Sequence, residues 1–79
     1  MKKHGALLKL VGENILYYRK LRRFSLEKLS VRSKLNIDFI NRVERGLMNI
    51  SIVSLEKIAI ALNVEPKEFF ITHAKKPEE

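Results

Sequence analysis

The sequence contains no cysteine and no tryptophan, and only three glycines and two prolines among 79 residues. Without cysteine, neither a disulfide bridge nor a thiolate metal site can form. The two histidines, His4 and His73, lie near opposite ends of the chain, and no glycine-rich phosphate loop is present. The sequence therefore predicts a domain that holds no metal and no cofactor and is stabilised by helical packing.

Long apolar segments are also missing. No uninterrupted apolar run approaches the roughly 20 residues that a membrane-spanning helix needs. Lys9 interrupts the apolar stretch near the start, and no small-residue cleavage site follows it. We expect no signal peptide, no membrane segment and a cytoplasmic location.

Catalytic groups are scarce as well. No nucleophilic side chain has an evident base beside it, and no pair of acids stands in clearly different surroundings. Nothing in the pattern indicates a pocket for a small-molecule effector. The sequence therefore predicts a protein that is not an enzyme.

Positive charge, by contrast, is abundant and local. The formal net charge is +7, and residues 19–34 hold seven basic side chains against one acid, whereas residues 46–79 hold four basic and five acidic ones. The seven are Arg19, Lys20, Arg22, Arg23, Lys28, Arg32 and Lys34. This local surplus favours a polyanionic partner, and a charged face that meets only solvent is the alternative.

Apolar residues recur at helical spacing near the start, which predicts a first helix that runs to about Arg22. The residues that set this period are Leu7, Val11, Ile15 and Tyr18. Ser25 is a good N-cap for a short second helix. Asn36 caps a third helix, which spans about residues 37–45 and ends at Gly46.

The second half of the chain predicts two more helices. Ser51 opens a fourth helix with one apolar face, and Asn63 is a plausible stop for it. Pro66 suits the first position of a fifth helix, which is expected to end near Thr72.

The whole pattern predicts one all-α domain. There is no alternation of β type, no internal repeat and no linker long enough to separate domains. We expect a single domain over residues 1–79, a compact five-helix bundle with its core at about residues 7–72. Residues 1–5 and 74–79 carry little to bury and are expected to be frayed.

The segment from Ser25 to Gly46 combines two short helices with a tight connection, and the basic surplus lies on it and just before it. Such a pair suits the major groove of DNA, because the first helix crosses the backbone while the second meets base edges. By itself the pair is a weak signal, since any small helical bundle contains one.

The segment becomes specific when it is taken together with its neighbours. "GENILYYRKLRRFSLEKLSVRSKLNIDFINRVERG", followed by "SLEKIAIALNVEPKEFF", resembles the Cro and phage-repressor (XRE) family of helix-turn-helix proteins over about residues 10–71. With "NISIVSLEKIA" after the third helix, this short domain is also similar to the controller proteins of restriction-modification systems. The resemblance implies a lambda-repressor-like fold and a sequence-specific regulator of transcription. Such a regulator binds double-stranded DNA as a homodimer on a palindromic operator, with the third helix in the major groove.

The resemblance also implies roles for single residues. Arg19 is expected to form a buried ion pair with Glu44 of the "VERG" motif, which would hold the third helix against the first. The residues expected to face bases are Ile37, Asp38, Asn41 and Arg42. The residues expected at phosphates are Arg22, Ser25, Lys28, Asn36, Phe39 and Arg45. For Asp38 a structural role remains open, because an acid in the first helical turn is typical of a capping residue at a helix N-terminus and can also orient Arg42 four residues later.

Five positions depart from the pattern of the family. Leu47 and Met48 follow Gly46, where the family is often basic, and could pack on a partner instead of contacting a phosphate. Leu26 stands where the family usually has a glutamine, and leucine cannot hydrogen-bond a phosphate. Arg23 and Lys34 stand where glycine is common, so each must adopt a positive φ or shift its turn.

The "EFF" sequence suggests how two copies pair. Phe69 and Phe70 are adjacent, so on a helix they cannot enter one core to equal depth, and one ring is expected to stay outside. The residues expected to form the dimer interface are Ile60, Val64, Phe69, Phe70 and Ile71. The alternative is that both rings fold into a loose C-terminal core.

Two other functions stay open at this point. Exposed Ile37, Phe39, Leu47 and Met48 could form the binding patch of a helical protein-interaction module that has no specific affinity for DNA. A structural RNA-binding protein is a more distant alternative. The basic residues between Arg19 and Lys34 favour DNA.

Overall fold

The computed structural model describes residues 5–72 as four α-helices followed by a short 3₁₀ helix. The elements are α1 (Ala6–Leu21), α2 (Leu26–Ser33), α3 (Ile37–Glu44), α4 (Ile52–Leu62) and the 3₁₀ helix Pro66–Phe70. No strand occurs in this range. The all-α prediction is confirmed, but the prediction of five α-helices is wrong in its count. Apart from Gly5, the ends that the sequence predicts to be frayed lie outside the described residues.

Side-chain caps fix the starts of α2, α3 and α4. The Ser25 hydroxyl accepts a hydrogen bond from the Lys28 backbone N–H at 3.0 Å, and the Ser51 hydroxyl accepts one from that of Ser54, also at 3.0 Å. The side-chain oxygen of Asn36 accepts from two backbone N–H groups of α3. All three caps follow from the sequence, because a cap depends on residues within one turn of each other.

Left-handed residues end the helices. Gly46 (φ 75°) follows α3, Lys34 (φ 63°) ends α2 and Asn63 (φ 58°) ends α4. Arg23 (φ 61°) makes the turn between α1 and α2. Of the two alternatives for Arg23 and Lys34, a positive φ or a shifted turn, the structure shows a positive φ at both residues.

The core lies where all five elements meet. α1 packs against α3 and the 3₁₀ helix, while α2 packs against α3 and α4. The fully buried large side chains are Ile15, Leu29, Ile40, Ile58, Leu62 and Phe69. Each element thus gives at least one of these side chains to a single core.

The C-terminal end of the 3₁₀ helix is tied to α1. The buried side chain of Asn14 in α1 donates to the carbonyl oxygens of Phe69 at 2.8 Å and Ile71 at 2.7 Å. Ile71 has extended backbone angles, so the chain leaves the helix there. The Asn14 side chain therefore holds the point at which the chain leaves the 3₁₀ helix.

Candidate nucleic-acid interface

α2 and α3 form a rigid unit with a three-residue connection, residues 34–36. Ser30 donates its hydroxyl to the carbonyl oxygen of Leu35, and the Leu35 backbone N–H donates to the Ser33 hydroxyl at 3.3 Å. Leu29 of α2 and Ile40 of α3 are both completely buried beneath the connection. The orientation of α3 relative to α2 is therefore fixed by packing and by local hydrogen bonds.

α3 turns one face to the core and the other to solvent. Ile40, Val43 and Glu44 are buried, whereas Ile37, Asp38 and Arg42 are exposed and Asn41 is half-buried. Counted from Ile37, the other three residues follow at spacings of one, four and five, so the four side chains share one side of the helix. All four residues expected to face bases thus lie together on the outer side of α3.

Asp38 and Arg42 are not joined to each other. The described residues contain two ion pairs, and neither includes Asp38 or Arg42. The N-terminal N–H groups of α3 are capped by Asn36, which accepts from Asp38 at 2.8 Å and from Phe39 at 3.1 Å. The structural role considered for Asp38, to orient Arg42, is therefore not seen, and its carboxylate faces solvent.

Five of the six residues expected at phosphates belong to the helix-turn-helix unit, and the sixth, Arg22, does not. Ser25 and Asn36 are exposed N-caps, and Arg45 is exposed at the C-terminal end of α3. The Lys28 ammonium lies 5.0 Å from the centre of the Phe24 ring. Phe39 is half-buried and packs against the core. All five lie on α2, on α3 or at their ends.

Arg22 has a different role from the one expected. Its Nε donates to the carbonyl oxygen of Leu62 at 2.7 Å, and its Nη2 donates to that of Asn63 at 3.2 Å. These carbonyl groups belong to the last turn of α4, where backbone acceptors lack partners within the helix. We therefore correct the expected phosphate contact at Arg22 to a structural contact that fixes the end of α4 to α1.

The ion pair between Arg19 and Glu44 is present. The Arg19 Nε donates to Glu44 Oε2 at 2.7 Å, and Nη2 donates to Oε1 at 3.0 Å. A third donor, Nη1, binds the carbonyl oxygen of Phe24 at 2.9 Å. The pair thus ties the last residue of α3 to α1 and to the segment that leads into α2.

Gly12 sets how closely α1 and α3 approach. A Cβ atom built on Gly12 would collide with the backbone carbonyl oxygen of Val43 and lie 2.8 Å from that of Glu44. Only glycine therefore allows this helix crossing. The sequence interpretation missed this role of Gly12, although a glycine inside a helical period is a signal of a close approach.

The predicted dimer surface is partly present. Phe69 is completely buried, so we correct its expected place in the interface: it is a core residue whose ring lies 6.3 Å from that of Tyr18. Phe70 is 46% exposed, and Ile60 and Ile71 are exposed as well. Val64 is partly buried against the core. The ring of Phe69 is inside and the ring of Phe70 is outside, so one of the two adjacent rings is exposed, as the sequence predicts.

Two shallow clefts flank Phe70, with volumes of about 270 and 240 Å³. Both are lined by Ile52, Leu55 and Phe70, and the first extends to Leu7 near the start of α1. Their apolar walls continue the exposed surface of Phe70. The apolar face is therefore larger than the sequence indicates.

The patch proposed for a protein-interaction module is incomplete. Phe39 and Met48 pack against the core, whereas Leu47 is exposed and Ile37 belongs to the outer face of α3.

Within residues 5–72 no group of three or more acidic or histidine side chains could hold a metal ion. In the same range, no helix is both long enough and apolar enough to cross a bilayer.

Comparison with known proteins agrees with this geometry. The helix-turn-helix family is matched by residues 15–69. Control protein C.BamHI of Bacillus amyloliquefaciens is 36% identical over 61 residues, which are 68% of this chain and 75% of that protein. The HTH-type transcriptional regulator SlrR of Bacillus subtilis (strain 168) is 34% identical over 62 residues, 77% of this chain. The chain spans only 41% of the length of SlrR.

Solved structures of controller proteins have the same fold. The restriction-modification controller protein C.AhdI from Aeromonas hydrophila matches with a TM-score of 0.78 and 36% identity, over 80% of this chain and 96% of that one. The controller protein C.Esp1396I, as a tetramer in complex with its natural 35 base-pair operator, matches with a TM-score of 0.77 and 33% identity. That match covers 85% of this chain and 88% of the C.Esp1396I chain.

Proposed function

We propose, from the premise that this chain belongs to the XRE-type helix-turn-helix family, that it is a DNA-binding regulator of transcription similar to the controller proteins. The observation that carries the proposal is the outer face of α3. Its polar side chains Asp38, Asn41 and Arg42 lie on one side of a helix whose other side is fixed to α1 by the Arg19–Glu44 pair. A rigidly held helix with such a face is suited to the major groove.

Each of the four residues on the outer side of α3 has a partner among the base edges. Arg42 can donate two hydrogen bonds to guanine, and Asn41 can pair with adenine or reach a phosphate. Asp38 can accept from the N4 amino group of cytosine, and Ile37 can contact a thymine methyl group. Because Asp38 forms no ion pair within residues 5–72, its carboxylate is available for this contact.

The ends of the two helices contact the DNA backbone in this proposal. Ser25 and Lys28 at the start of α2, together with Asn36 and Arg45 at the ends of α3, meet phosphates, and Phe39 lies beside the sugar-phosphate chain. The side chain of Leu26 cannot donate a hydrogen bond, so the neighbouring Ser25 and Lys28 take over the contact that a glutamine side chain makes in the family. These contacts position α3 and carry no sequence information.

The active form is a homodimer on a palindromic operator. A single α3 reads only a few base pairs, whereas two copies related by a dyad meet major grooves about 34 Å apart. Phe70 and the clefts beside it form an apolar face that a second copy can bury. The C.Esp1396I relative is a tetramer on its operator, which supports assembly of more than one copy.

Selection of bound duplexes from a random pool tests the proposal. We expect an enriched palindrome, and affinity for it that falls with salt by about 0.9 log units per log unit of salt for each phosphate contact. A pool without enrichment would reject sequence-specific binding. Affinity that does not depend on salt would favour the protein-interaction module instead.

A further inference from the structure

Two long basic side chains occupy backbone conformations that suit glycine. Within residues 5–72, three residues other than glycine have a positive φ, namely Arg23 (61°), Lys34 (63°) and Asn63 (58°). Asparagine tolerates this region because its short side chain can bond locally, whereas arginine and lysine are disfavoured there. Glycine adopts it without steric cost. Arg23 and Lys34 therefore hold strained positions at two turns where glycine would fit.

The contacts of these side chains within the protein do not explain why they are there. Neither Arg23 nor Lys34 makes a side-chain hydrogen bond, ion pair or ring contact in the described part of the chain. Protein groups engage four of the other five basic side chains of this segment, namely Arg19, Arg22, Lys28 and Arg32, while Lys20 lies exposed on the regular helix α1. The two cations are thus exposed, and within residues 5–72 their side chains make no contact that would favour arginine or lysine over glycine at these turns.

Both cations lie next to the proposed phosphate contacts. Arg23 stands two residues before Ser25, the N-cap of α2, and Lys34 stands two residues before Asn36, the N-cap of α3. Two residues span at most about 7 Å of chain. Arg23 and Lys34 therefore flank α2, each close along the chain to an N-cap that the proposed function places at a phosphate.

We propose that Arg23 and Lys34 each bind a DNA phosphate, one on either side of α2, an inference that rests on the proposed function. A cation on each turn gains an attraction to the polyanion that glycine cannot provide, and binding releases counterions from the DNA. The cost of the left-handed backbone is then offset in the complex with DNA. Because phosphates carry no sequence, these contacts strengthen binding to every duplex alike.

Replacement by glycine separates the backbone effect from the charge effect. In Arg23→Gly and Lys34→Gly the strain is relieved and the cation is lost. We expect each variant to keep or raise the Tm but to bind the selected operator about 3- to 10-fold more weakly at 0.1 M salt. The slope of log K against log salt should become less steep by about 0.9 for each variant, with an unchanged base preference. Arg23→Lys and Lys34→Arg keep the charge and should keep the slope.

Two controls isolate the effect. Asn63→Gly makes the same backbone change at the end of α4 without a loss of charge, and should leave the affinity and the slope unchanged. Lys67→Gln removes one positive charge from the 3₁₀ helix, which packs on α1 and α4, and should also leave them unchanged. Arg23→Asn and Lys34→Asn, which tolerate a positive φ, replace either glycine variant if it fails to fold.

The outcomes are distinguishable. A glycine variant that binds the operator with the parent's affinity and slope overturns the phosphate contact at that residue, while the proposed function stands. A slope change as large in Lys67→Gln as in Arg23→Gly also overturns the inference, because the effect would then come from net charge. If the parent itself binds neither the selected operator nor a mixed-sequence duplex, the proposed function fails first.

Discussion

Arg19 donates hydrogen bonds to both carboxylate oxygens of Glu44 and so connects the last residue of α3 to α1. The two side chains are only 13% and 4% exposed. The same guanidinium binds the carbonyl oxygen of Phe24, in the segment that leads into α2. One side chain thus connects α1, the start of the helix-turn-helix unit and the end of the helix that is proposed to read DNA.

The ion pair predicts a characteristic double-mutant cycle. Glu44→Gln and Arg19→Met should each lower the free energy of unfolding by more than about 2 kcal/mol, because each leaves a buried charge without its partner. The double variant should recover part of this loss, since no stranded charge remains. Urea denaturation of the parent and the three variants measures the coupling. Strict additivity would count against the pair.

An exposed ion pair in the same chain provides the control for this cycle. Lys67 and Glu65 lie 3.9 Å apart, with side chains 72% and 77% exposed. Water screens such a pair, so Lys67→Met and Glu65→Gln should each change the free energy of unfolding by less than about 1 kcal/mol. A large effect there would show that denaturation reports general charge changes instead of burial.

The crossing of α1 and α3 predicts a large effect of one methyl group. In Gly12→Ala the new Cβ collides with the carbonyl oxygen of Val43, so α3 must move away from α1. We expect a loss of about 1–3 kcal/mol of stability, measured by thermal or urea unfolding, and weaker operator binding. Glu13→Ala, at the exposed neighbouring position, should have almost no effect on stability. Equal stability of the two variants would contradict the close crossing.

Local features of the fold could be predicted from the sequence. Ser25, Asn36 and Ser51 cap helices because each bonds to backbone groups two or three residues later. The left-handed turns at Arg23 and Lys34 were one of two alternatives that the resemblance to the family left open. The cap contacts join residues that are close together in the sequence, so the pattern of residue types is enough to predict them.

Contacts between distant residues were the ones that the sequence did not indicate. Asn14 binds carbonyl groups 55 and 57 residues away, and Arg22 binds a carbonyl group 40 residues away. Every residue has a backbone carbonyl group, so the sequence does not indicate which carbonyl accepts a hydrogen bond from a given asparagine or arginine. The buried Asn14 and the structural role of Arg22 therefore appear only in the assembled fold. The Arg19–Glu44 pair was expected because the resemblance to a family supplied it.

Tyr18 makes stability depend on alkaline pH. Its hydroxyl donates to the Glu68 carboxylate at 2.9 Å. Burial, followed by this hydrogen bond and the charge of Glu68, raises the pKa of Tyr18 from 10.0 to about 12. Its contribution is fully present below pH 10 and is lost as the pH rises towards 12, because the unfolded chain releases its proton first.

Tyr18→Phe should therefore have a shallower loss of stability than the parent between about pH 10 and pH 12. Lysines titrate in the same range, so the measured quantity is the difference between the unfolding free energies of the two proteins at each pH. The prediction fails if the parent and Tyr18→Phe lose stability in parallel over this range.

The exposed ring of Phe70 predicts the state of assembly. Phe70→Asp places a charge in the apolar face, so it should give a folded monomer with much weaker operator binding. Leu21→Asp makes the same change at an exposed apolar residue at the other end of α1 from the clefts, and should remain a dimer. Sedimentation at micromolar concentration measures both. If the parent is a monomer of about 9.2 kDa that still binds its operator, the dimer is ruled out.

Substitution of Arg42 and substitution of Arg45 should affect DNA binding differently, the first by changing the base preference and the second by weakening binding to every sequence. Arg42 lies on the outer face, so Arg42→Ala should cost about 1–3 kcal/mol on the selected operator and relax the preference for one base in each half-site. Arg45 follows the helix, so Arg45→Ala should weaken binding to all sequences alike and flatten the salt dependence by about 0.9. Arg22→Ala should instead lower stability, because its side chain holds the carbonyl groups of Leu62 and Asn63. Selection from a random pool with each variant gives the base preferences directly. An unchanged preference in Arg42→Ala would remove the outer face of α3 from the groove, since a helix that reads bases there cannot lose this side chain without losing sequence information.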